Sequence, residues 1–180
     1  MAVIYNLTMD QGADWDLNVI YKQPAEITNV SGDGTTVTYT AQNSFSAGQI
    51  VSIDQVIPYI YNLQNVVIDS ATSSNFTVLN AAQGNYISGG VATAPVDITG
   101  YTAQMQMRST PNSSQAVLTL STTNGITING PTGQITLHAS AAQTGAIIEG
   151  PYDYDLEIYS GSSVTRVVQG QIIVSAQVTR

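Results

Sequence analysis

The acidic side chains have the greatest chemical capacity in this sequence, and two groups of them are spaced to act together. Asp153, Asp155 and Glu157 alternate with Tyr152, Tyr154, Leu156 and Ile158. That period of two places the carboxylates on one face of a strand and the apolar side chains on the other, which a helix does not do. Asp10, Asp14 and Asp16 cluster near the first turn. Carboxylates in such sets can hold Ca²⁺, which takes oxygen ligands, or act as the acid/base pair of a glycosidase. Neither group matches an EF-hand loop. Alternate carboxylates on a strand stand roughly 7 Å apart and repel unless a cation or a partner surface intervenes. A solvated or subunit-contacting face is therefore expected, with Arg108 and Arg166 on neighbouring strands placed to pair with it. Such exposed pairs add more specificity than stability.

His138 is the only histidine. Nothing near it resembles a Gly-x-Ser-x-Gly elbow or a zinc-ligand spacing, so a solvated histidine on a strand face is expected. Tyr59 and Tyr61 flank Ile60 just after Pro58, in what reads as a loop or strand end. Exposed tyrosines stack on sugars or anchor protein contacts, while a core or rim role is the ordinary one. Gly32-Asp33-Gly34 lacks the following helix and the lysine of a phosphate loop. No catalytic residue, cofactor or metal is expected. Tyr59, Tyr61, Asp153, Asp155, Glu157, Arg108 and Arg166 are the candidate interaction residues.

The elements that must position these side chains are strands. Trp15, Leu17, Val19 and Tyr21 alternate with polar neighbours, Ile20 excepted; Ala103, Met105 and Met107 alternate with Gln104, Gln106 and Arg108; Ile135 and Leu137 alternate with Gln134, Thr136 and His138. The β-branched stretch 164–174 has Gly170 in its middle, a sign of a bulge or a close backbone approach. Turn signals such as Ser31-Gly32-Asp33-Gly34, Asn124-Gly125 and Glu149-Gly150-Pro151 recur between the runs. One short helix is expected at 140–144, capped by Ser140 and stopped by Gly145. Many short strands with regular turns mean an all-β sandwich or barrel.

Between Pro24 and Ala94 the charges thin, and short strands are expected at 25–30, 35–40, 49–56, 65–70 and 75–79. Proline and small residues mark seams where few contacts cross. The division that follows is a host sandwich of 1–23 plus 95–180 with a small β-sandwich or barrel, 24–94, inserted into it. The two ends of an inserted unit must lie close together.

Composition narrows the partners. Lys and Arg number 4 against 12 Asp and Glu, a formal charge of −8. The basic residues Lys22, Arg108, Arg166 and Arg180 are scattered, so neither a nucleic acid nor an anionic membrane is an expected partner. Charged residues make up only 9% of the chain, against roughly 25% in an average soluble domain. A surface of Thr, Ser, Gln and Asn sheds water more readily than one of Lys and Glu, which suits lateral packing in a particle. There are 0 cysteines, the usual look of a protein made in a reducing cytoplasm. The start carries no basic, apolar leader pattern, so synthesis without export is expected.

Several segments are similar to small virion proteins of tailed phages. They are 96–108, built around Thr99-Gly100-Tyr101-Thr102; Gly133-Gln134-Ile135-Thr136-Leu137, followed by 140–144; Tyr152-Asp153-Tyr154-Asp155-Leu156; and 164–170 running to Val178-Thr179-Arg180. With the opening Tyr5-Asn6-Leu7-Thr8-Met9-Asp10, they resemble the immunoglobulin-like N-terminal domain of phage baseplate upper proteins. Phe45-Ser46-Ala47-Gly48, Ser74-Asn75-Phe76-Thr77 and Gly84-Asn85-Tyr86-Ile87 resemble a β module scattered through phage structural proteins, those of cyanophages included. The resemblance implies an immunoglobulin-like sandwich and a non-enzymatic virion component of the tail, baseplate or fibre-attachment region. It further implies synthesis in the host cytoplasm, other virion proteins as partners and multiple copies in a symmetric assembly. A capsid decoration protein is the close rival. Binding of a host-surface glycan through tyrosines of the inserted unit is a further alternative, and a carboxylate hydrolase a distant one.

Overall fold

The computed structural model describes residues 2–178. Met1 of the opening, the Thr179 and Arg180 that close the resemblance, and the charge of Arg180 lie outside the described residues. In chain order the strands are β1 (Val3–Ile4), β2 (Leu7–Asp10), β3 (Trp15–Ile20), β4 (Lys22–Gly32), β5 (Thr36–Ala41), β6 (Ile50–Asp54), β7 (Leu63–Ala71), β8 (Asn75–Leu79) and β9 (Val91–Pro95). They continue with β10 (Thr102–Arg108), β11 (Leu118–Ser121), β12 (Ile126–Asn129), β13 (Gln134–Ala139), β14 (Gly150–Ser160) and β15 (Ser163–Ser175). Among the described residues, helix is confined to α1 (Ala141–Gly145) and two single 3₁₀ turns. The fold is all-β, and the chain divides into two compact units, 21–97 and the remainder.

The first unit is a two-sheet sandwich. One sheet runs β1-β15-β14-β10-β11, with β2 also paired to β15; the other runs β12-β13-β3. The alternation in the sequence decides the inner faces. Tyr152, Tyr154, Leu156 and Ile158 of β14 are buried, as are Ala103, Met105 and Met107 of β10 and Ile135 and Leu137 of β13. Full burial of each Leu or Ile side chain contributes roughly 1.5–3 kcal/mol. Ile20, out of phase at the end of β3, is exposed. Of the two readings of Gly170, close approach is correct: a Cβ there would lie 2.4 Å from the Tyr5 carbonyl oxygen. The bulge of β15 sits earlier. Leu156 pairs with Val168 and Glu157 with Arg166, which leaves Val167 unmatched. α1 opens on a capping box in which Ser140 Oγ accepts from the Gln143 amide and the Gln143 side chain accepts from the Ser140 amide. It runs through Gly145 and ends at Ala146, one residue beyond the expected stop.

The second unit is a closed barrel, β4-β5-β8-β7-β6-β9. Its interior is filled by Val37, Tyr39, Val51, Ile53, Tyr61, Phe76 and Val78, none with more than 0% exposure. Tyr39 stacks on Phe76 with centroids 5.0 Å apart, and Phe45 meets Phe76 edge-on at 5.4 Å. The unit runs from Tyr21 to Asp97, slightly wider than the proline seams suggest. Pro24 is a strand residue opposite Thr93, and Pro95 lies opposite Lys22. Residues 22–26 of β4 pair only with β9, whereas residues 27–32 pair with β5. Pro24 therefore faces a side on which no strand partner asks for an N–H.

Candidate functional site

β14 supplies the face that carries the acidic side chains, and register places its neighbours. Across β10, β14 and β15 the outward rows read Gln104, Glu157, Arg166; then Gln106, Asp155, Gln169; then Arg108, Asp153, Gln171. Each carboxylate is thus flanked by an amide or a guanidinium on the adjoining strands, as cross-strand pairing favours. Arg166 is the hub: its Nε lies 3.1 Å from Asp155 Oδ2, one terminal nitrogen donates to Glu157 Oε1 at 3.3 Å, and the other to Gln169 Oε1 at 3.1 Å. Burial raises the Asp155 carboxyl above its ordinary pKa, and the Arg166 charge opposes that rise. Burial raises the Tyr159 phenol too, as does its 2.9 Å hydrogen bond to Glu157.

Arg108 is expected to pair with the acidic row, and the structure sets it differently. Although it lies opposite Asp153 in register, its guanidinium donates to the Ser113 carbonyl at 2.5 Å and to Gln106 Oε1 at 2.8 Å. Asp153 takes only a long 3.4 Å bond from the Gln171 amide. Gln106, Arg108, Asp153 and Gln171, with Ile4 and Pro111, line an open groove of about 480 Å³. The amides of Gln106, Gln169 and Gln171 have no place among the residues singled out from sequence. Their alternate spacing opposite the acidic row is the signal that finds them, and it needs the register to be known.

The second acidic group does not converge. Asp14 Oδ1 accepts from the Ala141 amide at 2.7 Å, Asp16 lies 2.9 Å from His138 Nδ1, and Asp10 accepts from Ser175 Oγ at 2.5 Å. These are three separate ties between strand, helix and loop. His138 is a solvated strand-face residue paired with an exposed carboxylate. Among the described residues, no three His, Asp or Glu side chains gather as a metal ion requires.

The two tyrosines of the inserted unit part company. Tyr59–Tyr61 is one turn of 3₁₀ helix in which Tyr59 is 76% exposed and Tyr61 0%. Tyr61 is a core residue: its hydroxyl donates to the Gly84 carbonyl and its own carbonyl accepts from the buried Tyr39 hydroxyl, both at 2.7 Å. It has no free ring to offer a sugar. Ile57, Ile60 and Ile87 are exposed, as Tyr59 is. The segments that carry them are tied by Ile57 and Ile87 backbone bonds to Ser88 and Ile57 at 2.9 Å. Compared with known proteins, the chain matches no family model and no curated sequence.

Proposed function

We propose that the chain is a non-enzymatic structural protein of a tailed-phage virion, seated in the tail, baseplate or fibre-attachment region, where it joins other virion proteins in multiple copies. The observation that carries this reading is a set of exposed apolar side chains on the barrel unit. Ile57, Tyr59 and Ile60, within four positions of one another, and Ile87, whose amide donates to the Ile57 carbonyl, are all exposed on backbone held by cross-segment hydrogen bonds, and rigid aromatic and aliphatic side chains are the usual anchors of protein contacts. The acidic residues support it from the other side. Asp10, Asp14, Asp16, Asp155 and Glu157 are each engaged by the protein's own donors, as suits scaffolding. The resemblance of the sandwich segments to virion proteins supplies the setting.

Gold-labelled antibody against the chain, applied to intact particles of the phage that encodes it, is the test. Label at the tail end is expected. Label spread over the head would move the chain to capsid decoration, and its absence from washed particles would overturn the reading. Tyr59→Asp combined with Ile87→Asp is expected to cut incorporation at least about tenfold, the effect of losing a central apolar anchor, while the free protein keeps its fold.

A further inference from the structure

The groove on the outer face of the six-stranded sheet has features that protein docking through Tyr59 and its exposed isoleucines does not use. Its lining is made of planar hydrogen-bonding groups held in place by one another. Gln106 positions the Arg108 guanidinium, Asp155 and Gln169 position Arg166, and the Asn6 side chain accepts from the Gln171 backbone amide at 3.0 Å. Preorganised polar groups of this kind lose little entropy when a ligand arrives.

Capacity for a ligand remains on the same groups. Arg108 spends two N–H donors on Ser113 and Gln106, out of the five that a guanidinium carries. Asp153 receives only the 3.4 Å bond from Gln171 on one oxygen, so its other oxygen is unclaimed among the described residues. Donor and acceptor thus stand side by side, at the spacing of adjacent strands. Two guanidiniums and two carboxylates line the groove, a balance that favours no net charge in the occupant. Ile4, 73% exposed, and Pro111 give its rim an apolar surface. A volume of about 480 Å³ falls within the range of small-ligand clefts, about 300–1,000 Å³.

A neutral molecule with adjacent hydroxyls, each both donor and acceptor, and with a C–H face for the rim is a sugar. We propose that this groove binds a short neutral carbohydrate of one or two pyranose rings, with Asp153 and Arg108 taking neighbouring hydroxyls, Gln171 a third, and Ile4 the C–H face. Asp155 stays bound to Arg166 as frame. The site lies on the sandwich and does not depend on where in a particle the chain resides.

The test is amide NMR titration of the full chain with glucose, galactose, mannose, N-acetylglucosamine and their disaccharides, alongside sulfate and N-acetyl-lysine amide as charged probes. Saturable shifts at Gln106, Arg108, Asp153 and Gln171 with at least one neutral sugar are expected. Asp153→Asn and Gln171→Ala should each weaken that binding about tenfold, the loss of a good hydrogen bond, while Gln64→Ala on the barrel leaves it unchanged. Gln171→Ala keeps the test open if Asp153→Asn disturbs the fold. The proposal fails if no sugar gives saturable shifts there, if a charged probe alone does, or if both groove variants bind as the parent does.

Discussion

Tyr59 and Tyr61 are two positions apart, and a single 3₁₀ turn sends one ring to solvent and the other into the barrel. Periodicity could not separate them, because a three-residue turn has no repeat to read. Distant partners hold Tyr61 inside: its hydroxyl donates to the Gly84 carbonyl and its backbone carbonyl accepts from the Tyr39 hydroxyl, both at 2.7 Å. Tyr39→Phe leaves that buried carbonyl without its donor and is expected to lower unfolding free energy by about 1–3 kcal/mol. Tyr59→Ala should stay within about 0.5 kcal/mol of the parent; urea titration of both variants checks the pair. A second residue-scale consequence concerns alkali. Burial, reinforced by Tyr5, pushes the Tyr154 phenol up to about 12 from an ordinary 10.0. Burial also raises the Tyr39 phenol, with Tyr61 adding to it. The unfolded chain releases these protons first, so it binds fewer protons than the folded chain above pH 10. Stability that is fully present below pH 10 should therefore fall between pH 10 and 12. Tyr154→Phe should flatten part of that decline in unfolding titrations run at stepped pH, and an unchanged profile would count against the burial account.

At the scale of elements, the sandwich strands whose apolar residues alternate over four or more positions were readable from sequence, because one buried face fixes both phase and partner. The short ones were not. Val3 and Ile4 of β1 are both exposed, so no pattern marks that strand. β9 carries no strand pattern, because Val91-Ala92-Thr93-Ala94-Pro95 is small and ends in proline, the very features that mark a seam. Yet β9 closes the barrel between β4 and β6. The candidate site shows the same division. The acidic row was legible because it belongs to one strand, whereas its amide and guanidinium neighbours depend on the pairing of β10, β14 and β15. Gly170 tests how β1 is held. Its missing side chain lets the chain pass at Tyr5, whose amide donates to the Gln169 carbonyl at 2.9 Å and whose carbonyl accepts from the Tyr154 hydroxyl at 2.7 Å. Gly170→Ala places a methyl group 2.4 Å from that carbonyl oxygen and should cost about 1–3 kcal/mol, as overpacking does. Hydrogen exchange is expected to speed up at Ile4 and Tyr5 and to stay slow in β10. Uniform loosening would mean that the crossing does not act locally.

At the scale of the molecule, each unit fills its own interior, and the barrel's ends are bound to each other. The Val96 amide donates to the Tyr21 carbonyl at 3.0 Å, and Lys22 lies opposite Pro95 in the β4–β9 ladder. All the buried residues of the barrel core fall between Tyr21 and Asp97, and ring closure leaves as open edge only short one-sided stretches such as 22–26, where Pro24 withholds an N–H. An inserted unit with these properties carries its folding information within itself. Residues 21–97 expressed alone should therefore give dispersed amide NMR spectra and one cooperative unfolding transition. The sandwich with Ile20 joined to Ile98 through a short Gly-Ser linker should fold as well. A fragment that collapses without dispersed spectra would show that the barrel borrows stability from its host. If both fold, the two surfaces can be tested apart: the linker variant should keep sugar binding at the Asp153 groove while losing the particle contact assigned to Tyr59. Loss of both activities together would tie them to a single site and undo that assignment.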